Sequence, residues 1–283
     1  MIGIRFALYA NLMLLFGMPL FALYAPGGRQ SVGARRQVSL ALALTGILVS
    51  LVSIAMMTAS MAGVLLTQVD PSAVQMMITE TPMGQAWAIR LAALVALVLI
   101  PRRSLAVASL LGGIALASLA WSGHGAAGEG NAGWIQLIAD VAHLLAAAAW
   151  IGALIGLVAM VFGNVDTPTV YAALDQFSRT GGVIVAVVVV SGLINSAYLV
   201  GVHHVVDLPS TAYGRLLIVK LVLFTGMIGL AALNRFRLTP AFGRAVGEPL
   251  SFAALRLSLV FEAGAATAIV ALVARLGTLE PPM

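Results

Sequence analysis

The segment IADVAHLLAAAAWIG, residues 138–152, is apolar except for an aspartate and a histidine three positions apart. In a helix this spacing places Asp140 and His143 on one face. Both side chains would then lie within the hydrocarbon core of a membrane, where ionisable groups are costly and mark functional sites by default. The segment therefore predicts a membrane helix with a functional polar face, whose partners must come from other helices.

The composition of the chain is that of an integral membrane protein. Of its 283 residues, 61% are hydrophobic and 9% are charged, whereas a soluble domain carries roughly 25% charged residues. The absence of cysteine excludes disulfides, thiolate metal sites and cysteine nucleophiles, and leaves 12 methionines and 4 histidines as soft or borderline metal ligands. The net charge of +5 does not indicate nucleic-acid binding, because the arginines lie at predicted helix ends rather than in one patch.

Eight apolar segments are long enough to cross a bilayer, which requires about 20 residues. They predict an all-α fold, a polytopic membrane helix bundle with eight transmembrane helices in a single integral membrane domain over residues 1–283. The first segment is expected to remain as a helix rather than to act as a signal peptide, because the cleavage signal near Ala25 is poor. The predicted spans are 4–24, 38–66, 84–100, 104–121, 134–162, 179–200, 213–234 and 252–276.

Arginine in alternate loops predicts the orientation of the bundle. The loops on one side carry the arginines, and the segments 67–83, 122–133 and 201–212 on the other side contain no lysine or arginine. The positive-inside rule assigns the arginine-rich side to the cytoplasm of a bacterial inner membrane, so both termini are expected in the periplasm. The arginines that set this orientation are Arg29, Arg35, Arg36, Arg102, Arg103, Arg179, Arg235, Arg237, Arg244 and Arg256.

Polar and metal-binding side chains of several spans fall at similar depths. With a rise of about 1.5 Å per residue, Asp140 lies about 9 Å and His143 about 14 Å from the periplasmic end of its span. The same arithmetic predicts one polar layer in the periplasmic half, in which two acids balance two bases, and a comparatively bare cytoplasmic half. The layer would contain Met56, Met57, Met61, Arg90, Asn195, Lys220 and Glu262, with His124, His203 and His204 at the periplasmic ends of their spans.

These residues also have structural interpretations, which the sequence leaves open. Arg90 and Lys220 can extend toward the headgroups, or pair with Asp140 and Glu262 to fix the helix register. Asp140 can hold His143 by a hydrogen bond. Methionines commonly fill cores, and Asn195 can form a hydrogen bond between helices. His124 can serve a glycine-rich turn, and the His203–His204 pair can be a surface feature.

Thioether and imidazole ligands without thiolate suit copper. Methionine and histidine bind Cu(I), whereas histidine and carboxylate bind Cu(II). An acidic residue one turn from a histidine is also typical of a metal ligand that is oriented by a second group. The spacing alone fits a zinc site or a proton path equally well.

Several unusual stretches are similar to one family over nearly the whole chain. They are SGHG at 122–125, HLLAAAAWIGAL at 143–154, SGLINSAYLVG at 191–201, TAYGRLLIVKLVLF at 211–224, LNRFRLTP at 233–240 and LGTLEPP at 276–282. On these motifs the chain resembles the bacterial copper resistance protein D (CopD) family. His124, His143, Asn195 and Lys220 fall on the matching motifs, whereas the His203–His204 pair is outside them.

The resemblance implies a copper-binding inner-membrane protein of copper homeostasis and resistance that moves copper from the periplasm toward the cytoplasm. It also implies a partner, a periplasmic copper carrier of the CopC type, expected here as a separate protein. Two alternatives are a haem-binding electron-transfer protein with His124 and His143 as axial ligands, and an assembly factor that delivers copper without transport. An enzyme is not expected, because the sequence has no nucleophile–base pair, phosphate loop or metalloprotease motif.

Overall fold

The computed structural model describes residues 1–30, 35–100, 104–122, 130–201, 208–244 and 249–280. The described residues form helices and no strand, and eight helices are long and apolar enough to cross a membrane, which confirms the predicted fold class. The helices are α1 (Ile2–Tyr24), α2 (Arg36–Ala62), α3 (Pro71–Glu80), α4 (Pro82–Leu99), α5 (Leu105–Ala117), α6 (Gly130–Phe162), α7 (Thr167–Val200), α8 (Ala212–Leu233), α9 (Thr239–Arg244) and α10 (Pro249–Leu276). A 3-10 turn, Ser118–Ser122, extends α5, and a π-helical turn, Asn234–Leu238, joins α8 to α9.

Polar residues fix where several helices begin. The Asp166 side chain accepts a hydrogen bond of 2.9 Å from the Thr169 backbone N–H, so α7 begins at Thr167 rather than near the predicted 179. This hydrogen bond also holds the pKa of Asp166 below its ordinary value. The first turns of α7 were missed because they are polar; Arg179 lies within them, 2.8 Å from Asp175. Similar side-chain caps begin four other helices and come from Asp70, Thr81, Ser104 and Thr211.

Helix α1 lies at the centre of the bundle. It packs against α2, α5, α6 and α10. Its inward residues include Leu12, Leu15 and Phe21, whose side chains are fully buried. Helix α6 is the other largely buried span, and the remaining helices surround this pair with more exposed apolar faces.

Small residues bring the backbones of α1 and α6 into direct contact. A Cβ atom on Gly17 of α1 would overlap the carbonyl oxygen of Ala148, and one on Gly152 of α6 would overlap the backbone of Gly17. Glycine permits this close approach because it has no side chain, as in other membrane helix pairs. On another face of α1, Gly112 of α5 lies over the carbonyl of Leu15. That carbonyl has no helical N–H partner at Pro19, four residues later, since proline lacks the donor.

Two apolar clusters lie on either side of this crossing. The first joins the start of α1 to α2, α4, α5 and the first half of α6, and the second joins the end of α1 to the second half of α6 and to α7, α8 and α10. We call the face where α1 begins and α10 ends the terminal side. The opposite face, with the π-helical turn, is the basic side.

We expect Gly17→Ala to destabilise the bundle by about 1–3 kcal/mol or more. Overpacking usually costs this much, and backbone atoms of α6 cannot rotate away from the added methyl group. The measurement is the midpoint of thermal unfolding in detergent, followed by circular dichroism. Gly226→Ala on α8 is the matched control, since nothing lies within 4 Å of a Cβ at that position. Equal midpoints for both variants would contradict the assigned role of the crossing.

Candidate functional site

A cavity of about 200 Å³, mostly apolar but with several charged and polar side chains in its lining, opens between helix ends on the terminal side. We call it the first cavity. It brings Asp140, His143, Asn195 and Lys220 together, as the sequence predicts. Residues that the sequence interpretation missed also line it, among them Arg5, Tyr9, Met13, Gln136 and Tyr213. Arg5 is a charged residue in an apolar span, and ionisable groups in the membrane core mark functional sites, so the sequence could have identified Arg5 as it identified Asp140.

The orientation of His143 is set by α7. Its Nδ1 lies 3.1 Å from the carbonyl oxygen of Val188 and 3.0 Å from the hydroxyl oxygen of Ser191. A carbonyl oxygen can only accept, so Nδ1 carries the proton and donates it, and in the neutral ring Nε2 keeps the lone pair. A histidine held in this way by a backbone carbonyl has the arrangement of a metal ligand. The possible hydrogen bond from His143 to Asp140 does not form, because the Nδ1–H of His143 is directed to α7; Asp140 accepts instead from the Asn195 side-chain amide at 3.2 Å.

Charged side chains line the first cavity without direct pairing. Asp140, Lys220 and Arg5 all line it. Among the described residues, the one ion pair within 4 Å is Asp175–Arg179 at the surface of α7. Lys220 and Asp140 therefore share the cavity without a direct contact within 4 Å. The lining carries two cations and one acid when all three are ionised.

Arg90 and the methionines of α2 lie apart from His143. Arg90 is 2% exposed, so it does not extend toward the headgroups, and its Nε donates to the Ser118 hydroxyl at 2.8 Å. It lines a second cavity of about 60 Å³ together with Met57. Helix α1 lies between α2 and α6. Met57 and His143 are therefore separated by α1, although their predicted depths in the membrane are similar. Met56 is half-buried, and Met61, which is 69% exposed, faces outward.

Glu262 belongs to neither of these cavities. Its carboxylate accepts hydrogen bonds from Trp150 Nε1 at 2.8 Å and from Asn234 Nδ2 at 3.0 Å. These residues line a third cavity of about 200 Å³ toward the basic side. The expected single polar layer is therefore divided, and the half of the bundle that was expected to be bare contains a buried carboxylate. The prediction placed Glu262 in the same layer because its depth is similar to that of His143. In the structure, Glu262 of α10 instead contacts Trp150 and Asn234 on the basic side of the first cavity.

Three predicted ligands, His124, His203 and His204, lie outside the described residues. Within the ranges that the structure describes, no three side chains of histidine, cysteine, aspartate or glutamate are grouped so that they could hold a metal ion. A soft metal in the first cavity would therefore use His143 with a ligand of another kind. Met13 lines the same cavity and supplies a thioether, the ligand that Cu(I) accepts.

We expect Arg90→Ala to lower the yield of folded protein and its stability by about 2–5 kcal/mol, the range for large truncations in a core. The variant removes a buried side chain and its hydrogen bond to Ser118. Folded yield is measured by size-exclusion chromatography in detergent. Arg179→Ala is the control, because the Asp175–Arg179 pair is exposed and such pairs contribute about 0–1 kcal/mol. Normal yield and stability of Arg90→Ala would contradict a structural role.

Comparison with known proteins places these helices in one family. The family model described as "Copper resistance protein D-like, N-terminal domain" matches residues 1–134, and the model described as "Copper resistance protein D" matches residues 171–276. No solved structure matches the chain.

Relatives align over the full length or over part of it. The chain is similar to "Copper resistance protein D" of Pseudomonas syringae pv. tomato, with 43% identity over all of this chain and 97% of the relative. It is 26% identical to "Inner membrane protein YebZ" of Escherichia coli K12 over 99% of this chain and 98% of that protein. "Copper transport protein CutJ" of Bacillus subtilis is 30% identical over 42% of this chain and 22% of its own length. The chain therefore belongs to the copper resistance protein D family.

Proposed function

We propose that this protein binds Cu(I) in the first cavity and passes it across the bacterial inner membrane from the periplasm toward the cytoplasm. The observation that carries the proposal is the fixed orientation of His143, whose Nδ1 donates to α7 and whose Nε2 keeps the lone pair, in a cavity that Met13 also lines. Imidazole and thioether together favour Cu(I) over harder cations. Copper is the substrate here rather than a resident cofactor.

The charge of the first cavity also favours the monovalent ion. Arg5 and Lys220 face the same space as Asp140, so an added cation meets two positive groups and one negative group when all three are ionised. Coulomb repulsion scales with the charge of the ion, which makes Cu(II) less favourable than Cu(I) in this lining. The same repulsion limits how tightly copper is held, and release is necessary for transport.

A path across the bundle is supported by cavities toward both of its sides. Leu144, Ala147 and Ile151 of α6 line the first cavity, and Trp150 and Leu157 of the same helix line the third. The two spaces therefore meet neighbouring turns of α6, because residues seven positions apart, such as His143 and Trp150, lie on the same side of a helix. We infer that movement of this packed segment closes one cavity as the other opens, as alternating access requires.

The orientation that we propose places the terminal side in the periplasm. The arginine-rich segments then face the cytoplasm, following the positive-inside rule. The single integral membrane domain would receive copper from a separate periplasmic carrier of the CopC type. Two relatives carry printed names that refer to the inner membrane and to copper transport, which supports the proposed membrane and the proposed substrate. We propose no enzymatic reaction.

The haem alternative requires a second axial ligand beside His143, and His124 lies outside the described residues. A Soret absorption band in the purified protein would support that alternative. Copper uptake into proteoliposomes distinguishes transport from delivery of copper to a periplasmic enzyme. Proteoliposomes with an internal Cu(I) chelator accumulate copper if the protein transports it, and do not if it only binds it.

We expect His143→Ala to abolish a site that holds about one Cu(I) per wild-type chain, because the alanine side chain has no ligand atom and suits the helix. Protein purified in detergent is loaded anaerobically, and bound copper is measured by mass spectrometry. Met61→Leu is the control, since Met61 is 69% exposed on α2 and lies away from the first cavity. Equal copper content in wild type and His143→Ala would remove His143 from the site.

We expect Met13→Leu to weaken Cu(I) binding by at least about tenfold. Loss of a group that only orients a metal ligand already costs about tenfold or more, and a direct ligand should cost at least as much. Leucine keeps the apolar volume but removes the sulfur, so packing changes little. Met18→Leu is a matched control, because Met18 is also buried on α1 but does not line the first cavity. Affinity is measured by competition with a Cu(I) chelator of known strength. Equal losses in both variants would assign the effect to packing.

A further inference from the structure

A buried carboxylate in the basic-side half of the bundle has no role in the copper site. Glu262 of α10 is 1% exposed, and no cation of the described residues lies within 4 Å of it. Its hydrogen-bond donors, Trp150 and Asn234, are neutral. Burial of an ionised carboxylate without a charged partner is costly, and such groups take up a proton or bind a cation.

The lining of the third cavity favours a proton over a metal ion. No methionine or histidine contributes to it among the described residues, so a soft cation finds no soft ligand there. Arg235 also lines this cavity, but its side chain is exposed and lies over the Phe236 ring, 5.4 Å from the ring centroid, and it makes no ion pair with Glu262. The lining residues of α6 and α7 carry no charge, Lys220 of α8 faces the first cavity, and Arg256 of α10 donates to the carbonyl of Val161.

Asn234 can serve both protonation states of the carboxyl group. Its Nδ2 donates to Glu262, while its own Oδ1 is buried and has no hydrogen-bond partner among the described residues. Rotation of the amide by half a turn exchanges the two atoms, which are assigned from the hydrogen bonds that they make. In the rotated form Oδ1 accepts a hydrogen bond from the protonated carboxyl. Asparagine therefore accommodates the proton, whereas a lysine or arginine partner would exclude it.

We propose that Glu262 is a reversible proton-binding site in the third cavity, with Asn234 as the side chain that adjusts to the proton. Proton uptake converts Glu262 from an acceptor for Asn234 into a donor to it. It also weakens the hydrogen bond from Trp150, because a neutral carboxyl is a poorer acceptor than a carboxylate. The proton thus acts on the contact that joins α6, α8 and α10, next to the stretch of α6 that lines the first cavity. The site itself does not depend on the proposed copper function.

Infrared spectroscopy of the whole protein in detergent tests the site directly. The expected signal is the stretch of a protonated carboxyl that appears and disappears reversibly above about pH 5, where exposed carboxyl groups are ionised. We expect this band to shift in protein labelled with ¹³C-glutamate and not in protein labelled with ¹³C-aspartate. Among the described residues, Glu262 is the one glutamate within a candidate span, and the label separates it from Asp140.

Substitution gives a second assignment. Glu262→Gln keeps the shape of the side chain and should abolish the band, whereas the variant Asp140→Asn, at the half-buried acid of the first cavity, should retain it. A band that shifts with the aspartate label, a band that persists in Glu262→Gln, or no reversible band would each overturn the proposal. If Glu262→Gln does not fold, the labelled wild-type protein still decides the result.

Discussion

The contact between Gly17 of α1 and Gly152 of α6 is the constraint on which the rest of the bundle depends. Water does not drive helices together inside a bilayer, so close packing of backbones must do so. This crossing places α1 at the centre, with α2 and α5 on one side and α6 and α10 on others. It also lies between the two larger apolar clusters, and cavities with polar side chains lie toward both ends of the bundle.

The central position of α1 explains why the polar residues are separated into distinct sites. Arg5 and Tyr9 of α1 line both the first and the second cavity, so this helix forms the wall between them. Met57 and Arg90 face one side of the wall, and His143 faces the other. A methionine that shares the cavity of His143 comes from α1 itself, at position 13. The soft ligands that we propose for copper are therefore carried by the two helices that cross at the glycine contact.

Along α6, the first and third cavities follow one another at a distance of about two helical turns. His143 faces the first, and Trp150, seven residues later, donates to Glu262 at the third. In our proposals the two sites take different cations, a soft metal ion on the terminal side and a proton on the basic side. The ligand types support this division, because imidazole and thioether line one space and a carboxyl with a neutral amide lines the other.

The sequence by itself determined the class of fold, since length and hydropathy identify spans that must satisfy their backbone hydrogen bonds as helices. It also placed Asp140 and His143 on one face and Asn195 and Lys220 near them, because those residues lie close to the same ends of their helices. Only the tertiary structure decided which residues share a cavity. Depth along a span gives one coordinate, whereas helix neighbours and rotation give the others, and these follow from packing at glycine contacts. For that reason the methionines of α2 and Glu262, which the sequence placed in one layer with His143, do not line the first cavity. Met13 and Arg5 line it although the sequence did not predict them there.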